Sequence, residues 1–360
     1  MSVGPSTIGF GFVLCKAKCT DWTSATSLRR SDGSSANSAT RHPDPRGSDG
    51  LGRVDNRREQ AQQDSEVDML DGIPLIDAHV HAGRFSSLNP AISEWAASFH
   101  AVALLRRLHD EAGDLVPGRF ATYLRAEGVD MAILVPEYSP KVIGIQAVED
   151  LFPFVEYDPK LFRFMANLNP HLHDPIAAEL DRQIELGAIA LKIHPVHGGF
   201  APDDIALYPA YSLCEELGLP IVFHTGISIF PGATNRYADP ELIEPVARDF
   251  PELTIVLAHG GRRWWYEGAA AQALARPKTW IEISGLPPRK ISSYWKQSDL
   301  PLLATKFIFG SDWPGVPGIR ANALGIASLG LPRDTLERVF YLNALSVYRL
   351  SDVWESKTPA

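Results

Sequence analysis

The stretch Ile73-Pro-Leu-Ile-Asp-Ala-His-Val-His-Ala82 constrains this chain more than any other. Its apolar run, Ile73 to Ile76, reads as a buried strand that ends in Asp77, His79 and His81. Side chains alternate faces along a strand, so these three polar residues are expected on one face, with Ala78 and Val80 on the other. Two imidazoles two residues apart on one face suit a borderline metal such as zinc, and Asp77 stands where it could orient one of them. A polar strand end with two hydrogen-bonded histidines would look the same, so the rest of the chain must decide.

From Asp71 onward short apolar runs recur, and most close on a polar residue. After the first strand come Val129 to Val135, Phe162 to Leu168, Ala188 to Ile193 and Leu219 to Phe223. Leu253 to Ala258, Thr279 to Ile283 and Lys306 to Phe309 follow. All lack clean polar alternation, as strands of a parallel sheet buried on both faces do. Helical segments lie between them. Asp174-Pro175 reads as N-cap and first position of a helix over Ile176 to Leu186 that stops at Gly187. Leu207 to Leu217 ends at Gly218, and Pro240 to Phe250 ends at Pro251. Strands and helices in this alternation predict an α/β fold, a (β/α)8 TIM barrel, with no internal sequence repeat. The long segment Phe85 to Arg125 breaks the even spacing. It contains an amphipathic stretch, Phe99 to His109, and is expected to fold over the barrel mouth.

Residues 1 to 68 differ in kind. Ser, Asp, Arg, Gly and Asn dominate Thr20 to Ser65 without apolar period, so a disordered leader is expected. The barrel is expected over 69–352 and a short tail over 353–360, with Met69 an alternative start. Only Cys214 of three cysteines falls in the patterned region; Cys15 and Cys19 lack a partner pair for a metal. A reducing, cytoplasmic setting fits this usage. The formal charge of −9 argues against a nucleic-acid or anionic-membrane partner, and no apolar run approaches bilayer length. A small-molecule substrate is the expected partner, and self-association into a homo-oligomer is left open.

In a barrel of this type the active site lies at the C-terminal strand ends. Here those ends carry His79 and His81, then Glu137 and Tyr138, then Asn167 and Asn169, then Lys192 and His194. Strands five to eight supply His224, His259, Glu282 with Ser284, and Asp312. Histidines on strands one, five and six with a carboxylate on strand eight describe a catalytic metal site with an open position. The motifs His-x-His, Lys-Ile-His-Pro, Phe-His-Thr-Gly, Ala-His-Gly-Gly and Gly-Ser-Asp-Trp-Pro together resemble the amidohydrolase superfamily. The likeness runs from about Ile73 to Leu350 and is closer to the branch that includes aminocarboxymuconate-semialdehyde-type decarboxylases. By that resemblance His79, His81 and His224 are expected metal ligands, Asp312 a ligand and proton carrier, and His259 a catalytic histidine or second-metal ligand. The resemblance implies one or two divalent ions, zinc first and manganese as the alternative.

Lys192 separates the branches of that superfamily. In two-metal members the strand-four lysine is carbamylated and bridges the ions. An inward lysine in apolar surroundings needs a partner or neutralisation, so a carbamate bridge, a substrate anchor and a structural ion pair are all open to it. Arg262 and Arg263, followed by Trp264, Trp265 and Tyr266, suit a planar carboxylate-bearing substrate; Arg84 follows the first histidine pair. His194, Tyr138 and Trp313 complete the candidate substrate contacts. Gly198, Gly199 and Gly226 read as loop flexibility. A metal-dependent hydrolase is the expected function, with a non-oxidative decarboxylase of an aromatic or dienoic acid as the alternative. A catalytically silent binding barrel is a third class, disfavoured because every expected ligand position is filled.

Because no apolar period precedes Ile73, a chain starting at Met69 should bind metal and melt cooperatively at the full-length Tm. Differential scanning calorimetry and metal analysis of the two forms check this.

Overall fold

A computed structural model describes residues 70–354. The leader, Cys15, Cys19, Met69 and the last six residues lie outside the described residues. Eight strand positions form the frame: β1 (Ile76–Val80), β2 (Met131–Leu134), β3 (Phe162–Phe164 and Ala166–Leu168), β4 (Leu191–Ile193), β5 (Ile221–Gly226), β6 (Ile255–Arg262), β7 (Thr279–Glu282) and β8 (Phe307–Ile308). All neighbouring pairs are parallel. β3 changes partner at Met165: Met165 N–H donates to the Leu134 carbonyl, and Ala166 N–H to that of Ala190. The ring closes where the segment after β8 meets β1. There Ala78 N–H bonds Phe309 O at 3.0 Å, Asp312 N–H bonds His79 O at 2.9 Å, and His81 N–H bonds Trp313 O at 2.9 Å. This is the predicted TIM barrel.

Strand periodicity sorts the core into two layers. Ile76, Ala78, Ile133, Met165, Val222 and Ile308 fill the barrel, joined by Leu345, Tyr348 and Leu350 of the C-terminal segment. Leu134, Phe162, Leu191, Phe223 and Leu257 face outward. They pack under helices such as α5 (Ile176–Glu185), α6 (Tyr208–Leu217) and α8 (Tyr266–Ala275), which follow α1 (Pro90–Phe99), α2 (Val102–Leu108), α3 (Pro117–Ala126) and α4 (Phe152–Tyr157), with α7 (Glu244–Asp249) between α6 and α8. Burying each such side chain contributes about 1.5–3 kcal/mol, which is why runs without polar alternation end up between two layers.

Several local expectations need correction. The first strand covers Ile76–Val80, and its register slips between Asp77 and Val80. Alternation therefore fails there: Ile76 and Ala78 face the barrel interior, whereas Val80 joins the outer layer. Asp77 accepts from the His79 and Ser311 backbone N–H groups rather than orienting an imidazole. Burial pushes its carboxyl up to about 7. The helix at 176 is capped by Pro175 itself, with no side-chain cap from Asp174. The Phe99–His109 stretch is not one helix. α1 and α2 break at His100, whose ring Nε2 bonds the Pro314 carbonyl at 3.0 Å. Trp95 of α1 packs 5.4 Å from Phe230, so this segment rests on the loops after β5 and β8. Among the described residues no helix is long and apolar enough to cross a membrane.

Gly226 is more than a flexible loop residue. Its φ is +89°, and a Cβ there would lie 2.3 Å from the Arg262 backbone nitrogen. Gly226→Ala should therefore lower stability by more than about 2 kcal/mol, measurable by urea unfolding.

Candidate metal centre

Barrel closure delivers four side chains to one point. His81 Nε2 lies 3.3 Å from Asp312 Oδ1, and His79 Nε2 lies 3.7 Å from the same oxygen. His259 Nδ1 is 3.9 Å from Asp312 Oδ2, which also faces an Arg262 guanidinium nitrogen at 3.4 Å. Burial alone would raise the Asp312 carboxyl, but the bond to His81 and the adjacent His79 and Arg262 hold it well below the usual carboxylate range. His259 and Asp312 both have positive φ, 63° and 66°. Such backbone costs a non-glycine residue about 1–3 kcal/mol and persists where surrounding structure enforces it.

The strand-seven end, without an expected role of its own, sets the imidazole protons. Glu282 Oε2 meets His79 Nδ1 at 2.5 Å, and Glu282 Oε1 accepts from Ser284 N–H at 2.7 Å. Burial opposes the charge on Glu282, yet His79 outweighs it and keeps the carboxyl below its usual range. An ionised carboxylate can only accept, so His79 carries its proton on Nδ1 and leaves a lone pair on Nε2. The Ser284 carbonyl does the same for His259 Nδ1, at 3.0 Å. Burial disfavours charge on both rings.

These donors fit a divalent cation. His79, His259 and Asp312 offer ligand atoms within 4.8 Å of one another, all buried. Neutral imidazoles with a carboxylate are the ligand chemistry of zinc and manganese, and His81 stands beside them. His224 is one ring further away: it lies 4.7 Å from His259 and stacks on His194 at 4.0 Å. The centre drawn by the geometry is thus His79, His81, His259 and Asp312, with His224 adjoining.

A second polar group escaped the sequence reading. His197 Nδ1 meets Glu137 Oε1 at 3.2 Å, and its Nε2 meets Ser228 Oγ at 2.7 Å. The His194 ring stacks on that of His197 at 3.6 Å and 13°. Glu137, His194 and His197 also bring ligand atoms within 4.8 Å. Parallel stacked rings, however, cannot both aim in-plane lone pairs at one ion, and both nitrogens of His197 already have partners. This group is a hydrogen-bond chain holding the loop after β5. Its sequence signal was the second histidine of His-Pro-Val-His.

The other candidates divide. Lys192 is fully buried at the centre, with no hydrogen-bond partner for Nζ among the described residues. Burial, opposed by Glu282, Asp312 and Glu137, lowers its amine to about 8. Arg262 reaches the Ile227 carbonyl as well as Asp312. Arg263 is exposed, Trp264 is 72% exposed, and Arg84 pairs loosely with Asp114 and Asp150 at the surface. Tyr138 and Trp313 take packing positions instead of contact positions. The Tyr138 hydroxyl accepts from Val148 N–H, and Trp313 is sealed against Phe120 at 4.7 Å.

Comparison with known proteins gives three results. Residues 76–350 match the family model described as amidohydrolase. A dihydroorotase of Yersinia enterocolitica is 27% identical over 143 residues, covering 36% of this chain and 40% of that protein, so the chain spans well under half of that relative. Among solved structures, a TIM-barrel protein of Bordetella bronchiseptica is 22% identical with a TM-score of 0.62, covering 77% of this chain and 98% of that one. A 5-carboxyvanillate decarboxylase of Novosphingobium aromaticivorans, solved with manganese and a nitrobenzoic acid, is 16% identical with a TM-score of 0.55. It covers 78% of this chain and 97% of its own. The structural likenesses are of fold.

Glu282 should matter to the metal although it is not expected to touch it. Glu282→Gln should weaken metal affinity about 10–100-fold by releasing the His79 tautomer, and His79→Ala should remove most of the metal. Competition with a chromogenic chelator measures both.

Proposed function

The chain belongs to the amidohydrolase family, and from that premise we propose that it is a metal-dependent hydrolase of a small, carboxylate-bearing substrate. The observation that carries this reading is the state of Asp312, a buried carboxylate ringed by His79, His81 and His259 and kept ionised by them and Arg262. His79, His81, His259 and Asp312, with His224 adjoining, would hold the ion, zinc first and manganese as the alternative. A bound divalent ion polarises a carbonyl and makes water a better nucleophile near neutral pH. Asp312 is poised to accept the proton of that attacking water and to return it to the leaving group. Arg262 neutralises the outer Asp312 oxygen and keeps the carboxylate aimed at the reacting atoms. Lys192 and Arg262 supply positive charge for a substrate carboxylate, and the α1–α2 segment over the loops after β5 and β8 limits water at the mouth. A cytoplasmic enzyme acting on a small molecule fits this reading.

A second reading, decarboxylation, draws on the same two cations at one mouth. It needs an acid that delivers a proton to carbon. Asp312 is held ionised and would first have to acquire that proton, whereas hydrolysis begins with Asp312 as acceptor. That difference favours hydrolysis.

The test is direct. Zinc- or manganese-loaded protein is offered carboxylate-bearing lactones and cyclic amides beside hydroxybenzoates in H2(18)O. Hydrolysis puts one solvent oxygen into product without CO2; CO2 release with a solvent proton on carbon would replace this reading with decarboxylation. In the same assay Asp312→Asn should keep part of its metal and lose at least about 10²-fold in kcat.

A further inference from the structure

Two buried donors near the metal centre have nothing to bond. Asn167 Nδ2 and Lys192 Nζ are both sealed from solvent and lack any partner among the described residues. They are also neighbours: β3 and β4 run parallel with Asn167 in register with Lys192. Both side chains point inward. Met165 and Ala190, two residues earlier on each strand, belong to the barrel interior, whereas Ala166, Leu168, Leu191 and Ile193 face the helices.

A third donor lies just above. His194 Nδ1 accepts the His197 backbone N–H at 3.2 Å, so its proton must sit on Nε2. That N–H meets no protein acceptor among the described residues and, unlike the two donors below it, keeps some access to solvent. Stacking against His197 on one face and His224 on the other fixes the ring plane. Buried N–H groups left without acceptors are costly, and two of them on adjacent strand ends beneath a third, accessible donor are what a site awaiting an oxygen-rich ligand presents.

We propose that Asn167 Nδ2, Lys192 Nζ and His194 Nε2 form a three-donor subsite for one carboxylate group of the substrate. The proposal rests on the reading of this mouth as the active site and specifies which groups anchor the substrate there. A planar carboxylate offers two oxygens and about four acceptor positions, enough for all three donors. The ammonium selects an anion over a neutral amide. The subsite lies on strands three and four and borders the reacting centre, since Glu282, Asp312 and Arg262 all act on Lys192. Its ligand-free state carries unmet donors, which gives the proposal a consequence apart from turnover: removing the uncharged donor of Asn167 should stabilise the empty protein.

The experiment uses the full chain, metal-loaded and metal-stripped, with acetate and benzoate as probes in isothermal titration calorimetry. Asn167→Leu and Lys192→Met are each expected to weaken benzoate binding by about 10-fold or more, with metal per chain unchanged. Asn167→Leu should also melt a few degrees above wild type without ligand, because a buried unmet donor is gone. Asn167→Ala serves if the leucine variant misfolds, and Asn167→Asp should weaken benzoate further through like charge. Unchanged affinity in the Asn167 variants, or no binding of either probe by wild type, would overturn the proposal. So would inorganic phosphate binding more tightly than benzoate. If Lys192→Met lost about half its metal and only wild type responded to bicarbonate, Lys192 would be a bridge and not an anchor. Loss of benzoate affinity without any hydrolytic turnover would leave the subsite standing and remove the hydrolase reading.

Discussion

Everything at the mouth depends on how the sheet closes. The backbone bonds from Asp312 N–H to His79 O and from His81 N–H to Trp313 O are ladder bonds between the first strand and the segment after the last. They bring together residues from opposite ends of the described chain, and they fix Asp312 Oδ1 within 3.7 Å of both His79 and His81. Asp77 braces the same seam from within by accepting Ser311 N–H at 2.8 Å. A barrel has no free edge to fray, so this seam is as constrained as any interior pairing. The price is visible in the backbone, where His259 and Asp312 hold left-handed conformations that only a rigid frame would sustain.

Charge explains why such a frame needs a guest. Glu137, Glu282 and Asp312 are buried carboxylates, and Lys192 and Arg262 are the cations whose fields reach them. Pairing of Glu282 with His79, and of Asp312 with His81 and Arg262, limits the desolvation cost without removing it. A divalent ion among the neutral imidazoles would reverse the local balance from net negative to net positive. The pocket could then accept an anionic substrate, which the carboxylates alone would repel.

Much of this was legible in the sequence, because strand ends in a parallel barrel are written as an apolar run closing on a polar residue. The eight runs appear within a few residues of their predicted bounds, and His79, His81, His259 and Asp312 do meet, while His224, an expected ligand, stands one ring further out. The failures share a cause. Asp77 was assigned by alternation, which a bulge defeats, and a bulge leaves no mark in a five-residue strand. Trp313 looked like a contact residue because it adjoins Asp312, yet a strand neighbour points the opposite way, into the aromatic layer with Phe120. Glu282, Ser284 and Asn167 were visible as strand ends but acquire roles only through partners on other strands. His197 links Glu137 on one side to Ser228 on the other, from three separate segments, and no local pattern encodes that.

The neighbours of each histidine, more than the histidines themselves, divide the labour in this pocket. An imidazole with one proton can serve as a ligand or as a donor, and the group on its other nitrogen decides which. Glu282 and the Ser284 carbonyl can only accept, so they hold protons on His79 Nδ1 and His259 Nδ1 and leave lone pairs on the Nε2 atoms. The Gly226 carbonyl likewise holds the His224 proton on Nε2 and frees Nδ1. The His197 backbone N–H can only donate, so it forces the opposite tautomer on His194 and turns that ring into a donor. Three rings are thereby set to receive a cation and one to receive an anion, although all four are histidines ending strands of one barrel. A His-to-His alignment of strand ends would miss this division, since it is made by a carboxylate, two carbonyls and one amide lying elsewhere in the sequence.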